Sequence, residues 1–434
     1  MTADLAFFGR GDEADPTSAV THETPLAGRT VALIHPAWHS CGTATVVASQ
    51  ARAYRELGAR VLSIGLSDQP VFGLAPAAFR RAYLKATPEL VANCRVLTGV
   101  GRGALLNPFA MGPIGWDFAH GNHAATYVAF ALNSAVPPAV AAEPIDLVHC
   151  NHFFCMPLAT ALRASQGCAV FLDTHDIQTK QYVLRNQGNP YLRPRATFEA
   201  MLATELHWLG MADLLIHLNS EEEAAFRELL PRRRHTLLYP AVDPMPAGPG
   251  GDDFAIVASA NVPNILSLEW FLREVMLRAG DIPLAIYGNV DAAIRGRDPA
   301  LYSRFARHFR GRVDDIAKAY RQAACVLLPT TEGHGLSIKT IEALSSGAPV
   351  IATRHAFRGI DIDPASLANV TLADDAEAFA GALRKAAAER PNTAARPTSP
   401  TRRLYEARFS PAAYREGLAQ LVAPLLGRRS VASL

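Results

Sequence analysis

The segment Pro329–Ala352, PTTEGHGLSIKTIEALSSGAPVIA, constrains this chain more than any other stretch. Cys325–Leu328 (CVLL) just before it is a short apolar run that fits a buried strand. Gly333 and Gly335 let the backbone come close to a ligand, because neither carries a β-carbon. Ser337 can cap a helix that runs to about Ser346, and Gly347 ends it. Ala348–Ala352 (APVIA) reads as the next buried strand. A glycine loop feeding a helix N-terminus is an anion site, since free N–H groups and the helix dipole face negative charge. Lys339, Glu342 and Ser346 share one helical face, while Ile338, Ile341 and Leu344 lie on another side and can meet the core. A cation for phosphate and a carboxylate for a pair of ribose hydroxyls, one turn apart over an anion site, suit a sugar nucleotide.

The rest of the chain repeats the same alternation of strand and helix. Strands are expected at Thr30–His35, Arg60–Ile64, Asp146–Cys150, Ala169–Asp173, Asp213–Leu218 and His235–Tyr239. They recur at Phe254–Ser259, Pro283–Tyr287, Val326–Leu328, Pro349–Ala352 and Val370–Leu372. Helices fit between them, as at Thr43–Leu57, where Ala44, Val47, Ala48 and Ala51 make one face. Such alternation predicts parallel sheets covered by helices on both faces. At 434 residues with 49% hydrophobic content, the chain suits two such α/β domains rather than one core. The proline-rich stretch Tyr239–Asp253 is the expected seam. Residues 1–27 read as a loose polar arm and 390–403 as a solvated linker.

A net charge of +2 gives no drive towards nucleic acid. The six cysteines are scattered without a CxxC pair, which suggests reduced thiols and a cytoplasmic setting. Met1–Arg10 holds only a four-residue apolar stretch, so no signal peptide is expected. No run approaches the length needed to span a membrane. No GxGxxG follows the first strand, which disfavours a nicotinamide enzyme.

The Pro329–Ala352 stretch resembles the donor-nucleotide motif of retaining GT-B glycosyltransferases of family 4. That motif has a proline after a strand, a Glu-Gly-x-Gly loop, then Glu-Ala and Gly-x-Pro-Val-x-Ala. Ile338-Lys339-Thr340-Ile341-Glu342-Ala343 is similar to a bacterial polysaccharide-type branch, the glycosyl transferases of group 1. In the family the two glutamates stand eight residues apart; Glu332 and Glu342 are ten apart, so Glu342 matches and Glu332 is displaced. The resemblance covers nearly the whole chain, strongest from Phe254 to Ile360. It implies two Rossmann-like domains facing a cleft: an acceptor domain over 28–243, a donor-nucleotide domain over 244–405, and a C-terminal helix in 406–434 that packs back on the first. It also implies sugar transfer from a nucleotide-diphosphate sugar, UDP- or GDP-linked, with retention of configuration and no cofactor or essential metal. The acceptor stays open between a glycan, a lipid-linked and a small-molecule substrate. A GT-B nucleotide-sugar epimerase and a non-catalytic nucleotide- or glycan-binding protein are the alternative readings.

His175 and Asp176 follow the strand ending at Asp173, where an α/β sheet displays reactive groups. The resemblance assigns His175 to the donor sugar near the bond that breaks, with Glu332 beside it. Asp176 can orient the imidazole or cap the next helix. His39, in the turn after the first strand, and Asn151 with His152, at the end of another, are candidates for the acceptor pocket. Gly42, with its single-glycine turn, is the candidate for the diphosphate. Asn261 follows the first strand of the second half, and Gly288 and Val313 stand at later strand ends that hold the base in the family. His334 and Leu336 complete the glycine loop beside Gly333, Gly335, Ser337, Lys339 and Glu342. The arginine and lysine that many family members place near Asn261 are missing, and Lys339 is the expected replacement.

Three motifs receive a plainer reading. His149-Cys150-Asn151-His152 with Cys155 has metal-type residues, but alternation along a strand sends His149 and Cys150 to opposite faces. Asp361-Ile362-Asp363 is a DxD, the metal–nucleotide signature of the other glycosyltransferase fold, in a turn before Pro364 that reads as solvated. The basic runs Arg193, Arg195 and Arg232–Arg234 read as solvated faces, with weak peripheral contact at the inner face of a membrane as the alternative.

Overall fold

The structure, a computed structural model, describes residues 24–39, 41–90, 94–389 and 396–426. Its first sheet contains β1 (Thr30–Pro36), β2 (Arg60–Ser67), β3 (Cys94–Gly99), β4 (Leu147–Asn151), β5 (Ala169–Asp173), β6 (Leu214–His217) and β7 (His235–Leu237). Its second contains β8 (Asp253–Val257), β9 (Leu284–Tyr287), β10 (Phe309–Gly311), β11 (Ala323–Leu328), β12 (Val350–Ala352) and β13 (Val370–Leu372). Every pairing between these strands is parallel, in the orders β3-β2-β1-β4-β5-β6-β7 and β10-β9-β8-β11-β12-β13. Strand order reverses between β1 and β4 in one sheet and between β8 and β11 in the other. Crevices open at the carboxyl ends of strands at such reversals, and both candidate pockets lie there.

Two strands escaped the sequence reading. Both β3 and β10 are sheet edges, with one strand neighbour each. An edge strand needs less apolar surface, and each carries an arginine that breaks the pattern. Arg95 of β3 turns back to donate to Thr87 Oγ1 at 2.9 Å. The expected linker over 390–403 is corrected from 396 onward; 390–395 lie outside the described residues. Arg396 is buried and donates to the carbonyls of Tyr320 and Ala323, and Pro400–Arg408 is a helix packed near Ile338–Ser346. Within the expected arm, Leu26 is buried and its N–H donates to Leu57 O at 2.9 Å; residues 1–23 lie outside the described residues.

The helix Pro411–Leu426 returns to the first domain. Tyr414, Leu418 and Val422 join the cluster containing Val31, Val47, Ala51 and Ile216. Arg415 pairs with Glu56 at 3.0 Å. No described helix is long and apolar enough to cross a membrane.

Candidate active site

The second-domain pocket, about 310 Å³, lies between the loop after β8 and the glycine loop after β11. Asn261, Glu332, Gly333, His334, Leu336, Ser337 and Lys339 all line it. Ser337 Oγ accepts the N–H of Thr340 at 3.3 Å, capping the helix Ile338–Ser346. Asn261 likewise caps Val262–Trp270, accepting from Asn264 N at 3.0 Å. Ile338, expected in the core, is 39% exposed and lines the pocket instead, because the first turn of its helix forms the pocket mouth. Ile341 and Leu344 are buried as expected.

Glu342 stands one layer behind. Its Oε2 accepts from Tyr320 OH at 2.8 Å and from Lys339 Nζ at 3.1 Å. Gly288 and Val313 follow β9 and β10 without lining this pocket. Gly288 has a packing reason: its φ is +116°, and an added Cβ would sit 1.9 Å from Ala258 O.

The structure supplies a cation that sequence reasoning missed. Arg358, in the loop after β12, lines the pocket. An added Cβ on Gly333 (φ +122°) would meet its Nη2 at 2.9 Å. Its Nη1 donates to His355 O at 3.2 Å, and its Nε is buried without a partner. Burial lowers its pKa, with Glu221 opposing. An arginine after a strand's carboxyl end was the available signal. Arg358→Ala is expected to weaken nucleotide-diphosphate binding about tenfold, as for a lost charged hydrogen bond. Calorimetric titration of the folded variant checks this; unchanged affinity would remove Arg358 from the site.

The first-domain pocket, about 710 Å³, lies at the other crevice. Trp38 and His39 reach it from the loop after β1, Thr43 from the helix Gly42–Glu56, His152 from the end of β4 and Asp176 from the end of β5. Gly42 is the first residue of that helix, with open space where a Cβ would stand. His152 and His175 stack face to face, centroids 4.1 Å apart and planes 7° apart. Both have positive φ, 64° and 59°. Non-glycine residues in this region are strained and cluster at functional sites. Burial pushes both imidazoles below their usual range, so both are neutral at pH 7. His152 Nε2 bonds Thr43 Oγ1 at 3.1 Å.

Asn151 does not line this pocket. It is fully buried and holds His175 from behind. A carboxylate only accepts, so Gln50 must turn its Nε2 towards Asp173 Oδ2, at 2.6 Å. Gln50 Oε1 then accepts from Asn151 Nδ2 at 2.9 Å. Asn151 Oδ1 is left to accept from His175 Nε2 at 2.8 Å. The chain sets one tautomer of His175: the proton on Nε2 and the lone pair on Nδ1. Gln50 was detectable as a glutamine on a buried helical stripe, one turn from Val46, Val47 and Tyr54.

Asp176 has neither of its two expected jobs. Glu205 takes the N–H groups of Gln178 and Thr179 at 2.9 Å each, so the helix start needs no other cap. His175 is held by Asn151. The Asp176 carboxylate faces the cleft instead, where a Cβ on Gly335 would come within 3.1 Å of its Oδ1. Glycine at 335 thus lets the second domain's loop close on the first domain's acid. Burial raises the Asp176 pKa against the pull of His175 and His334.

Between the domains a 250 Å³ crevice is lined by Lys180, Glu222, Glu332, His334 and Arg358. Burial and the nearby Asp176 push the Glu222 carboxyl from 4.5 up to about 8. A folded pKa raised above the unfolded value gives stability that is whole below about pH 4.5 and lost as pH rises through about 8. Glu222→Gln should therefore melt like the wild type at the acid end and at least about 2 °C higher at pH 9. Equal melting temperatures at pH 9 would show that Glu222 ionises freely.

The DxD faces solvent. Asp363 accepts from Ala365 N at 3.1 Å, lies 3.6 Å from Arg354, and is exposed like Asp361. Arg193, Arg195 and Arg232–Arg234 are exposed. His149 bonds Tyr54 OH at 2.9 Å and Cys150 packs in the core. Among the described residues no group of three or more His, Cys, Asp or Glu side chains could hold a metal ion.

Residues 252–389 match the family model described as Glycosyl transferases group 1. No curated protein matches the sequence. Similar solved structures include HepE from Anabaena in complex with UDP (13% identity, 91% of this chain and 100% of that one, TM-score 0.59). Sucrose-phosphate synthase from Thermosynechococcus elongatus aligns over 94% of this chain and 100% of its own at 16% identity and TM-score 0.60. The pneumococcal O-GlcNAc transferase GtfA, in complex with UDP and GlcNAc, aligns over 92% and 99% at 11% identity and TM-score 0.57. The fold is the two-domain α/β architecture of GT-B glycosyltransferases.

Proposed function

We propose that this protein transfers a sugar from a nucleoside-diphosphate donor to an acceptor hydroxyl, with retention at the anomeric carbon. The observation that carries this reading is a pocket at a helix start, opposed across a narrow cleft by Asp176, whose neighbour His175 is buried and rigidly held. On one side stand the capped helix start at Ser337, Lys339 and Arg358; on the other stand His175 and Asp176. In the reaction the bond from the sugar C1 to the diphosphate oxygen breaks, its electron pair leaving with the diphosphate. The acceptor oxygen bonds to C1 and its proton passes to the departing phosphate oxygen. Lys339, Arg358 and the helix N–H groups would stabilise the charge that develops there. The His175 Nδ1 lone pair would accept from a hydroxyl of the transferring sugar. Glu332 would border the sugar, and Glu342, one layer behind the pocket wall, would hold Lys339 towards the diphosphate. Names of similar proteins point the same way: UDP is bound to HepE and to GtfA.

A thermal-shift screen of UDP, GDP and their sugars identifies the donor, since a specific ligand raises the melting temperature by mass action. Nucleotide release is then followed with and without acceptors. An isomerised sugar from donor alone would indicate an epimerase, and binding without any turnover a binding protein. Turnover is expected to persist in excess EDTA, because Lys339, Arg358 and the helix start supply positive charge to the diphosphate. Loss with EDTA and recovery with magnesium or manganese would reject that charge assignment.

A further inference from the structure

We infer that the acceptor is amphiphilic: a polar sugar-bearing head joined to an alkyl or aryl tail, with a tail subsite of its own in the first domain. This rests on the transferase reading and names the substrate class for the same site. Beside the 710 Å³ polar pocket runs a second groove of about 360 Å³. Asp68, Gln69 and Tyr127 line both, so the two share a wall. Past that wall the lining becomes apolar, with Met111, Ile114, Phe118 and Phe130.

The shared wall is fixed in place. Tyr127 packs against Phe154 and Tyr182, with centroids 5.3 and 5.8 Å apart. Asp68 Oδ2 accepts from Trp38 Nε1 at 3.0 Å. His123 closes the groove and bonds Tyr191 OH at 3.1 Å; burial keeps it neutral. At roughly 30 Å³ for a water-sized unit, the groove holds about a dozen methylene-sized groups.

The groove's outer wall is a helix that the rest of the fold leaves open. Pro108–Ala119 (PFAMGPIGWDFA) buries only Ile114, while Phe109 is 89%, Trp116 67% and Phe118 55% exposed. Large apolar side chains left open along one helix beside a groove are the kind of surface that binding partners cover. Continuity with the polar pocket selects its occupant, since one molecule can place its head beside His152 and Asp176 and its tail along this helix.

The experiment measures binding of methyl and octyl glycosides of glucose, galactose and N-acetylglucosamine to the full chain by calorimetry. Each methylene fully buried is worth roughly fourfold in affinity, so octyl should exceed methyl by at least about tenfold for some headgroup. Two variants test the place. Phe118→Ser removes an exposed wall residue. Gly115→Leu fills the groove: no atom lies within 4 Å of a Cβ added there, and leucine favours the helix. Both should abolish the chain-length gain. No gain for any headgroup, or a gain that survives Gly115→Leu, overturns the inference. Vesicles carrying an alkyl glycoside distinguish the source: capture that needs Phe109 and Trp116 assigns the tail to a bilayer lipid, and tight binding of the free octyl glycoside alone assigns it to a soluble amphiphile. A chain-length gain without transfer from any donor would sink the transferase reading and spare the groove. Transfer to methyl acceptors as efficient as to octyl would do the reverse.

Discussion

Replacing His175 with alanine is expected to lower turnover at least about a hundredfold while nucleotide affinity stays within about twofold of wild type. The pocket proposed for the nucleotide belongs to the second domain, and His175 does not line it. Its ring is placed at the end of β5 by strain, stacking and one directed hydrogen bond. Such preorganisation stabilises a transition state rather than a bound ground state. The check is steady-state nucleotide release beside calorimetric titration with the preferred nucleotide. Normal turnover in a folded variant would make His175 a structural residue.

Substituting Asn151 should produce the next largest effect. Asn151→Asp is expected to cost about tenfold to a hundredfold in turnover, as for other groups that orient a reacting side chain, with donor affinity unchanged. The variant puts a carboxylate against His175 Nε2 and favours the protonated ring. Burial now holds the His175 pKa below 6.5. If the neutral ring is the active form, the acid limb of the turnover profile moves to higher pH in Asn151→Asp. Asn151→Leu removes the hydrogen bond without adding charge and should leave that limb in place. Nitrogen-15 spectra of His175 give a readout that loss of packing alone would not reproduce: one Nε2–H tautomer in wild type, a mixture in Asn151→Leu. A single tautomer in both proteins, with no movement of the limb in Asn151→Asp, would remove the buried amide chain from the mechanism.

The strand–helix alternation was readable because central parallel strands are buried on both faces and must be apolar throughout. Hence β1, β4, β5 and β11 stand out in the sequence. Edge strands β3 and β10 did not, since an arginine interrupts each short run: Arg95 is buried against Thr87, and Arg310 is exposed. The helix Ile338–Ser346 was legible for local reasons: its cap Ser337, its stop Gly347 and its spacing of Lys339 and Glu342 all lie within one short segment. The same locality limited the reading of Ile338, because periodicity cannot say which turn of a helix forms a pocket mouth. Residues 396–403 misled for a related reason. Their polar composition suggested solvent, yet the Arg396 guanidinium finds buried carbonyls about seventy residues away in sequence.

By itself the sequence determined the two α/β halves, the glycine loop feeding the Ser337-capped helix and the strand-end placement of His175, since each follows from local periodicity, caps and glycine. The tertiary structure alone decided which distant groups serve them. It brought Arg358 to the second-domain pocket, set Gln50 and Asn151 as a directed chain behind His175, gave the N-terminus of Gln178–Asn186 to Glu205 rather than Asp176, and laid an apolar groove beside the polar pocket. These depend on contacts across sheets and domains, and a side chain's partner at long sequence separation leaves no periodicity for local reading to detect.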